Sequence, residues 1–403
     1  MNLVLFLLLL STHSATSPPR VKTGADVLIE ERLSLLRGKR IGLITNQTGR
    51  LASGEMVLDA LIGRGITVTA LFGPEHGIRG SSGAGESVAD SVDPKTGIPV
   101  YSLYGRTRKP AGPMLDRVDA LVYDIQDVGA RFYTYLSTMG LCMEAAAERN
   151  LPFIVLDRPD PLGGDLVDGP VLPDSLRSFV GMFPIPVVYG LTPGELASMA
   201  NGEGWLSHGE QADLTVVRME GWTRGMKWDQ TGLPWVPPSP NVRRPGTVLI
   251  YPATCYIEAT NISEGRGTGD PFHTIGAPFV PPGCLSRFLR AQRLKNIAVD
   301  DTEFVPSESK HKGAHCSGAH IEAVSADSLR PVEAGVEILV ALIRCCGDSI
   351  VVREGGLARL LGDPGALNLI KEGETAAHIA GRWGGETLAF RHRAARYYLY
   401  PER

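Results

Sequence analysis

Arg40-Ile-Gly-Leu-Ile-Thr45 is an apolar run that ends in the polar turn Asn46-Gln-Thr48. Three similar runs follow, at residues 67–72, 120–124 and 152–157, and each also ends in a turn rich in Gly, Pro, Asn or Asp. Helical patterns at residues 55–63 and 132–150 lie between them. Apolar strands that alternate with helices are typical of a parallel sheet covered on both faces. The sequence therefore predicts an α/β fold.

The chain of 403 residues is long enough for two domains. The alternation stops where proline becomes frequent, at Trp235-Val-Pro-Pro-Ser-Pro-Asn241 and at Arg243-Arg-Pro-Gly246. We place the boundary there, with one domain at residues 22–245 and a smaller one at residues 246–403. The second domain reads as α+β, with a glycine-rich loop at 264–269, helices at 284–294 and 332–344, and a strand near 319–324.

Composition excludes several classes of function. The net charge of −4 and the absence of long basic runs argue against a nucleic-acid partner. The six cysteines show no CxxC spacing, so neither a zinc site nor a disulfide framework is expected, although a single disulfide remains possible. The apolar block at residues 3–10 is too short to span a membrane and predicts a signal peptide at residues 1–17, although no basic residue precedes it. We expect an exported protein without an integral membrane span.

Polar side chains follow all four predicted strands. The first strand is followed by Asn46 and the second by Glu75 and His76. The remaining two are followed by a further set of polar residues: Asp124, Gln126, Arg131 and Asp157. Ligands of open parallel sheets bind at the carboxyl ends of the strands, so these side chains are candidates for one crevice.

Motifs for other chemistries are missing from this edge. The turn after the first strand lacks GxGxxG, and the glycines at residues 77–85 lack the GK[ST] end of a phosphate-binding loop. There is no HExxH metal motif and no GxSxG nucleophile elbow. We therefore predict neither a cofactor nor a metal. An acid-rich cleft remains, and paired carboxylates in different environments are the usual apparatus of glycoside hydrolysis.

Glu75 is the preferred acid of this cleft. It lies between Pro74 and an imidazole at the end of an apolar strand, where partial desolvation favours the protonated form. A matching polar segment in the second domain contains Glu258, Asn261, Glu264 and Arg266. Such a segment is either a solvated loop held by Asx turns or a surface that binds sugar hydroxyls.

Several long motifs occur together in this chain. They are Leu43-Ile-Thr-Asn-Gln-Thr-Gly49, Phe72-Gly-Pro-Glu-His-Gly-Ile-Arg-Gly80, Val122-Tyr-Asp-Ile-Gln-Asp-Val-Gly-Ala-Arg-Phe-Tyr133 and Glu264-Gly-Arg-Gly267. In this order they resemble the exo-β-N-acetylmuramidases of the NamZ family, over nearly the whole chain. The resemblance implies a Rossmann-like catalytic domain, a smaller C-terminal auxiliary domain and a cleft between them. It also implies release of N-acetylmuramic acid from the non-reducing end of peptidoglycan fragments.

The resemblance makes Glu75 the catalytic glutamate. The other roles are our assignments: His76 orients Glu75, Asp124 or Glu264 supplies the second carboxylate, and Asn46 and Asn261 bind hydroxyls.

Gln126, Asp157 and Glu258 complete the predicted substrate contacts. N-acetylmuramic acid carries a lactyl carboxylate, which calls for a fixed cation, and Arg131 and Arg266 are the candidates. A muropeptide-binding protein without catalysis and a metal-dependent cell-wall hydrolase remain as alternatives.

Overall fold

A computed structural model describes residues 21–80, 83, 85, 86 and 89–403. The predicted signal peptide at residues 1–17 lies outside the described residues. Among the helices of the described part, none is long and apolar enough to cross a membrane.

The first half of the chain is built on a mostly parallel sheet. Within the described residues it has seven strands in the order β3-β4-β2-β1-β5-β6-β7: β1 Arg40–Thr45, β2 Thr67–Gly73, β3 Ser91–Val92, β4 Pro99–Ser102, β5 Ala120–Asp124, β6 Pro152–Leu156 and β7 Asp213–Val217. Only the pair β3 and β4 is antiparallel in this sheet as described. Without β3, the six parallel strands have the order of a Rossmann fold. The predicted α/β class and Rossmann-like sheet are confirmed.

Helices cover both faces of this sheet. They are α1 Gly24–Val27, α2 Val57–Gly63, α3 Gly112–Leu115, α4 Tyr135–Arg149 and α5 Pro193–Gly202. α4 packs on β5 and β6 and buries Leu136, Met139 and Met143, the apolar stripe that its sequence predicts. It ends at Arg149, and the next residue, Asn150, takes the left-handed conformation that closes many helices. α5 begins with a capping box in which Thr192 and Glu195 satisfy each other's backbone N–H groups.

The second half contains a smaller antiparallel sheet and most of the remaining helices. Its strands β8 Thr274–Ala277, β9 Ile297–Phe304 and β10 Cys316–Ala323 have the order β8-β10-β9. Its helices are α6 Pro245–Thr254, α7 Cys284–Gln292, α8 Pro331–Cys346, α9 Glu354–Leu361, α10 Ala366–Lys371, α11 Ala376–Gly381 and α12 Gly384–Ala394. Short 3-10 or π turns complete the secondary structure: Leu28–Arg32, Leu33–Leu35, Asp174–Leu176, Ser207–Gly209, Trp228–Thr231, Cys255–Ala259, Gly347–Ser349 and Ala395–Tyr397.

A disulfide between Cys284 and Cys345 joins α7 to α8. It closes a separation of 61 residues, so it cross-links much of the second half. The other four cysteines are buried and free. A single disulfide agrees with the sequence analysis, which allowed for one.

The last residues of the chain return to the first sheet. The Tyr400 hydroxyl donates to a carboxylate oxygen of Asp157, and the Leu399 N–H donates to Oε1 of Glu195 at 2.9 Å. Arg224 completes the contact by donating its backbone N–H to the carbonyl of Pro401. The tail therefore packs on the first half of the chain, and the boundary between residues 245 and 246 stays a prediction.

Candidate active site

A cavity of about 550 Å³ opens beside the carboxyl ends of β2 and β4. Residues from both sides of the predicted domain boundary line it. Its charged side chains are Glu75, Glu258, Arg266 and Arg353, and its aromatic wall consists of Tyr104, Phe132, Tyr133, Tyr135, Tyr251 and Phe272. Such a mixture of aromatic faces and a few charged groups is typical of a small-molecule site.

Glu75 enters this cavity from a tight turn that follows β2. The Gly77 N–H donates to the Pro74 carbonyl at 2.9 Å, and His76 between them has a φ of 71°. A positive φ is uncommon for a residue other than glycine, and such strain is often found at functional sites. The turn directs Glu75 towards the cavity, and His76 itself is buried at the cavity wall.

Both carboxylate oxygens of Glu75 accept hydrogen bonds. Thr134 Oγ1 donates to Oε2 at 2.8 Å, and the Gly85 N–H donates to Oε1 at 3.0 Å. Tyr104 lies beside the same carboxylate; burial and the Glu75 charge raise the pKa of its phenol to about 12. The phenol therefore stays protonated at neutral pH and can donate a hydrogen bond to Glu75.

The second-domain loop forms a network of charges at the other side of the cavity. Arg266 bridges two carboxylates, with Nη2 at 2.8 Å from Glu258 Oε1 and Nη1 at 2.9 Å from Glu264 Oε1. Lys310 Nζ contacts the other oxygen of Glu264 at 2.9 Å. Gly265 makes the loop possible, because its φ is 81° and a Cβ there would lie 2.5 Å from the Thr274 carbonyl oxygen.

The two glutamates of this network differ in environment. Burial would raise the pKa of Glu264, but Lys310 and Arg266 outweigh burial and lower it. Burial raises the pKa of Glu258 despite the opposing charge of Arg266. Glu258 lines the cavity and its side chain is 31% exposed, whereas that of Glu264 is 2% exposed. Of these two, only Glu258 can meet a ligand.

Asp124, predicted as a second carboxylate, does not line this cavity. It is fully buried, and Arg158 donates from Nε and Nη2 to its two oxygens at 2.6 and 2.9 Å. Asp124 therefore neutralises a buried arginine, and it is not available to a substrate. Glu264 is likewise paired, because it forms salt bridges with Arg266 and Lys310.

Arg131, predicted to bind the lactyl carboxylate, is also a buried structural residue. Its guanidinium donates to the carbonyls of Pro170, Ile185 and Leu360 at 2.8 to 2.9 Å. Burial lowers the pKa of Arg131 to about 10. Arg131 ties the first half of the chain to α9 and does not reach the cavity.

Two predicted contacts near the sheet edge, Asp157 and Gln126, have internal partners as well. Asp157 is buried, and its Oδ2 accepts from the Thr192 hydroxyl at 2.7 Å and from Tyr400. Gln126 donates from Nε2 to the carbonyls of Asp127 and Pro159. Neither of these side chains lines the cavity.

Asn46 and Asn261, predicted to bind hydroxyls, lie outside the cavity lining too. Asn46 is buried, and its Oδ1 accepts from both the N–H and the hydroxyl of Thr48. Asn261 exchanges hydrogen bonds with the backbones of Ser349 and Val351. Of the eleven predicted site residues, the structure places four in the cavity: Glu75, His76, Glu258 and Arg266.

The crevice between β1 and β5, where the strand order reverses, is nearly filled. It retains only about 20 Å³ of space between Thr48, Gln126, Arg158 and Trp228. The chain from residue 228 to 236 folds over this reversal point and leaves little room for a ligand there. The cavity lies one strand further on, at β2 and β4.

The sequence reasoning missed several residues that line the cavity: Tyr104, Thr134, Ser239, Asn241 and Arg353. Tyr104 follows β4, a strand that was not predicted. Ser239 and Asn241 belong to the proline-rich segment, for which the sequence predicts only a domain boundary. Thr134 directly follows the motif that ends at Tyr133. Its position next to this motif is the one feature of the sequence that could have pointed to a residue of this set.

One group of side chains has the composition of a metal site. Asp270, His273, His320 and Glu322 place ligand atoms within 4.8 Å of one another. Arg244 Nη2 bridges the two carboxylates, at 2.9 Å from Asp270 and 2.8 Å from Glu322. A guanidinium thus pairs with both acids, and none of the four residues lines the cavity that contains Glu75.

Known proteins of one family match this chain. The family model "Exo-beta-N-acetylmuramidase NamZ, N-terminal" matches residues 41–246, and its C-terminal counterpart matches residues 249–400. The "Peptidoglycan beta-N-acetylmuramidase NamZ" of Bacillus subtilis is 42% identical over 392 residues, which cover 97% of this chain and 94% of that protein.

Two crystal structures of DUF1343 family proteins from Bacteroides fragilis share the fold. One has a TM-score of 0.87 at 38% identity, and covers 94% of this chain and 99% of its own. The other has a TM-score of 0.78 at 32% identity, and covers 95% of this chain and 99% of its own.

Proposed function

Because this chain belongs to the NamZ family of exo-β-N-acetylmuramidases, we propose that it removes N-acetylmuramic acid from the non-reducing end of peptidoglycan fragments. Family membership makes the protein a glycoside hydrolase and supports peptidoglycan β-N-acetylmuramidase activity. The exo mode, the catalytic residues and the position of the substrate between the two predicted domains are our proposal. The observation that carries it is the pairing of Glu75 and Glu258 in one cavity.

Glu75 is the general acid and base in this proposal. Its contact with the Thr134 hydroxyl suits both roles, because a hydroxyl donates to a carboxylate and accepts from a carboxylic acid. The same contact can therefore hold Glu75 in place before and after proton transfer to the leaving oxygen. His76 acts on Glu75 through the turn that both residues share, as a positioning residue.

Glu258 is the second carboxylate, in place of Asp124 and Glu264. Its environment differs from that of Glu75, since Arg266 is its ion-pair partner and burial raises its pKa. When ionised, it can stabilise the positive charge that develops on the sugar ring.

The pH dependence of turnover tests this role. Because the pKa of Glu258 is raised, kcat/KM should fall on the acid side at a higher pH than an ordinary glutamate would cause. This fall on the acid side should be absent from the pH profile of the residual activity of Glu258→Gln. An unchanged profile in that variant would remove Glu258 from the proposal.

Arg353 is our candidate for the lactyl carboxylate. Arg266 is already paired with two glutamates, whereas Arg353 is exposed and its guanidinium donates only to the Glu258 carbonyl among the described residues. An arginine without a carboxylate partner can bind a substrate carboxylate in a bidentate manner.

The preference of the enzyme for muramoyl over glucosaminyl substrates measures this contact. Arg353→Ala should reduce the ratio of the two kcat/KM values about tenfold or more, which corresponds to the loss of one charged contact. Arg359→Ala is the matched control, because Arg359 is exposed on α9, the helix that directly follows Arg353, but does not line the cavity. An unchanged ratio in Arg353→Ala would refute the assignment.

Hydrolysis of a chromogenic muraminide, with and without a chelator, tests the activity itself. We expect turnover that the chelator does not affect. On longer glycans we expect release of one muramic residue at a time and loss of turnover in Glu75→Gln. Binding without turnover would instead indicate a muropeptide-binding protein. Turnover that the chelator abolishes would indicate metal-dependent chemistry.

Export of the protein is part of the proposal. The disulfide between Cys284 and Cys345 supports it, because such bonds form and persist in oxidising compartments. Thiol labelling of the protein from separated cell fractions provides the test. We expect the protein outside the cytoplasm with both cysteines oxidised; cytoplasmic protein with free Cys284 and Cys345 would contradict export.

A further inference from the structure

A groove of about 1030 Å³ lies next to the site that contains Glu75. Helix α4 lines it together with three further segments: residues 105–109 after β4, residues 177–182, and residues 204–208 after α5. Neither the reaction nor the sequence motifs have assigned it a role.

The groove and the active-site cavity share one wall. Tyr104 lines the cavity and Gly105 lines the groove; likewise Val180 lines the cavity and Phe179 the groove. The rings of Tyr104 and Phe179 lie 5.9 Å apart between the two spaces. A chain-like substrate whose end lies beside Glu75 would therefore continue past these two rings into the groove.

The floor of the groove is held by buried polar contacts. Glu144 of α4 accepts from Lys109 Nζ at 3.1 Å through one oxygen. Its other oxygen accepts from the N–H and the hydroxyl of Ser207, at 3.0 and 2.7 Å. These bonds connect two of the three further segments to α4, so the groove is a preformed feature of the fold.

The rim of the groove carries positive charge without matching acids. Arg106 and Arg108 are exposed, and neither has an ion-pair partner among the described residues. The Arg108 guanidinium lies over the Phe179 ring, 4.4 Å from its centroid. Phe179 and Trp205 add aromatic surface on which the apolar face of a sugar ring can pack. Arginines beside aromatic faces suit a glycan that carries carboxylates.

We propose that this groove binds the part of the substrate beyond the scissile bond, a glycan whose muramic residues present carboxylates to Arg106 and Arg108. This inference rests on the proposed muramidase function and adds to it a preference for extended, anionic substrates. The carboxylates come either from a free lactyl group or from a peptide attached to it, and both have the chemistry that the arginines recognise.

Three substrates test the groove: an aryl muraminide, a MurNAc-GlcNAc-MurNAc-GlcNAc tetrasaccharide, and the same tetrasaccharide with peptides. The measured quantity is kcat/KM on each tetrasaccharide divided by kcat/KM on the aryl muraminide. We expect the double variant R106A/R108A to lower this ratio roughly five- to tenfold, and less so at high salt. A lower ratio only for the peptide-bearing glycan identifies the peptide as the source of the carboxylates.

Arg37→Ala is the control, because Arg37 is exposed, precedes β1 and does not line the groove. Its ratio should match that of the unaltered enzyme. An unchanged ratio in R106A/R108A, with the aryl muraminide still hydrolysed, overturns the groove proposal and leaves the proposed function standing.

Binding of the trisaccharide product GlcNAc-MurNAc-GlcNAc, followed by calorimetry, keeps the two proposals separate if turnover itself is absent. Weaker binding by R106A/R108A than by Arg37→Ala supports the groove, and equal binding overturns it.

Discussion

Replacing Arg131 by methionine separates a structural role of this residue from a role in substrate recognition. The sequence suggested that Arg131 binds the lactyl carboxylate, whereas its guanidinium donates to three backbone carbonyls and is buried. Methionine keeps much of the length and apolar volume of the side chain but removes the charge and all donors. The change should therefore reduce stability and leave substrate preference intact.

The size of the effect follows from two opposing contributions. Each hydrogen bond from a charged donor contributes about 1.5 to 3 kcal/mol, so losing three costs roughly 4 to 9 kcal/mol. The fall of the Arg131 pKa from 12.5 to about 10 shows that burial disfavours the charge, and removing it returns about 3 kcal/mol. We expect a net loss of about 3 kcal/mol, with roughly 1 and 6 kcal/mol as bounds. For a chain of this size that lowers Tm by about 4 °C.

Thermal unfolding and the muramoyl-to-glucosaminyl ratio of kcat/KM are the two assays. The structure predicts a lower Tm and an unchanged ratio for Arg131→Met. Full stability together with a lost preference for muramoyl substrates would show that Arg131 meets the substrate, and would refute the structural role.

Two further predictions concern stability. Cys284→Ser, or reduction of the disulfide, should lower the free energy of unfolding by about 4 kcal/mol, because the bond cross-links residues that are 61 apart in the sequence. Unfolding in urea with and without reductant measures this loss. Equal midpoints of the two unfolding curves would contradict the prediction. Burial raises the pKa of Asp157 from 3.8 to about 7, so the folded protein binds the carboxyl proton more tightly than the unfolded chain does. The stability of the protein should therefore fall as the pH rises from about 4 to 7. Asp157→Asn should show a smaller fall in Tm over that range, and the same fall as the unaltered protein would argue against the shift.

The sequence predicted the framework of the first sheet well, because its central strands are continuous apolar runs. Residues 40–45 and 120–124 were predicted with the bounds that the structure has. β4 was missed because Pro99–Ser102 is only four residues long and begins with proline, and β7 because Asp213–Val217 has few apolar neighbours to mark it. Both are too short for periodicity to reveal.

The site was harder to predict than the fold. The rule about strand ends gathers many polar residues at one edge of the sheet, but it does not tell which of them have partners from elsewhere in the chain. Arg158 forms a salt bridge with Asp124, and Tyr400 donates a hydrogen bond to Asp157, which lies 243 residues earlier in the chain. Glu75 avoids such pairing because it lies on a turn beyond the strand. It accepts hydrogen bonds from Thr134 and Gly85 and forms no salt bridge within the described residues. Long-range pairing of this kind leaves no local pattern in the sequence.

Kinetic measurement of Glu75→Gln on two leaving groups tests the central claim most directly. General acid catalysis contributes about 10²- to 10⁴-fold, so kcat on MurNAc-GlcNAc should fall by that factor. A nitrophenyl leaving group needs little protonation, and with it the loss should be at least about tenfold smaller. Glu55→Gln, an exposed control away from the cavity, should behave as the unaltered enzyme. Retained activity on the disaccharide, or an equal loss on both substrates, would contradict the assignment of Glu75 as the acid.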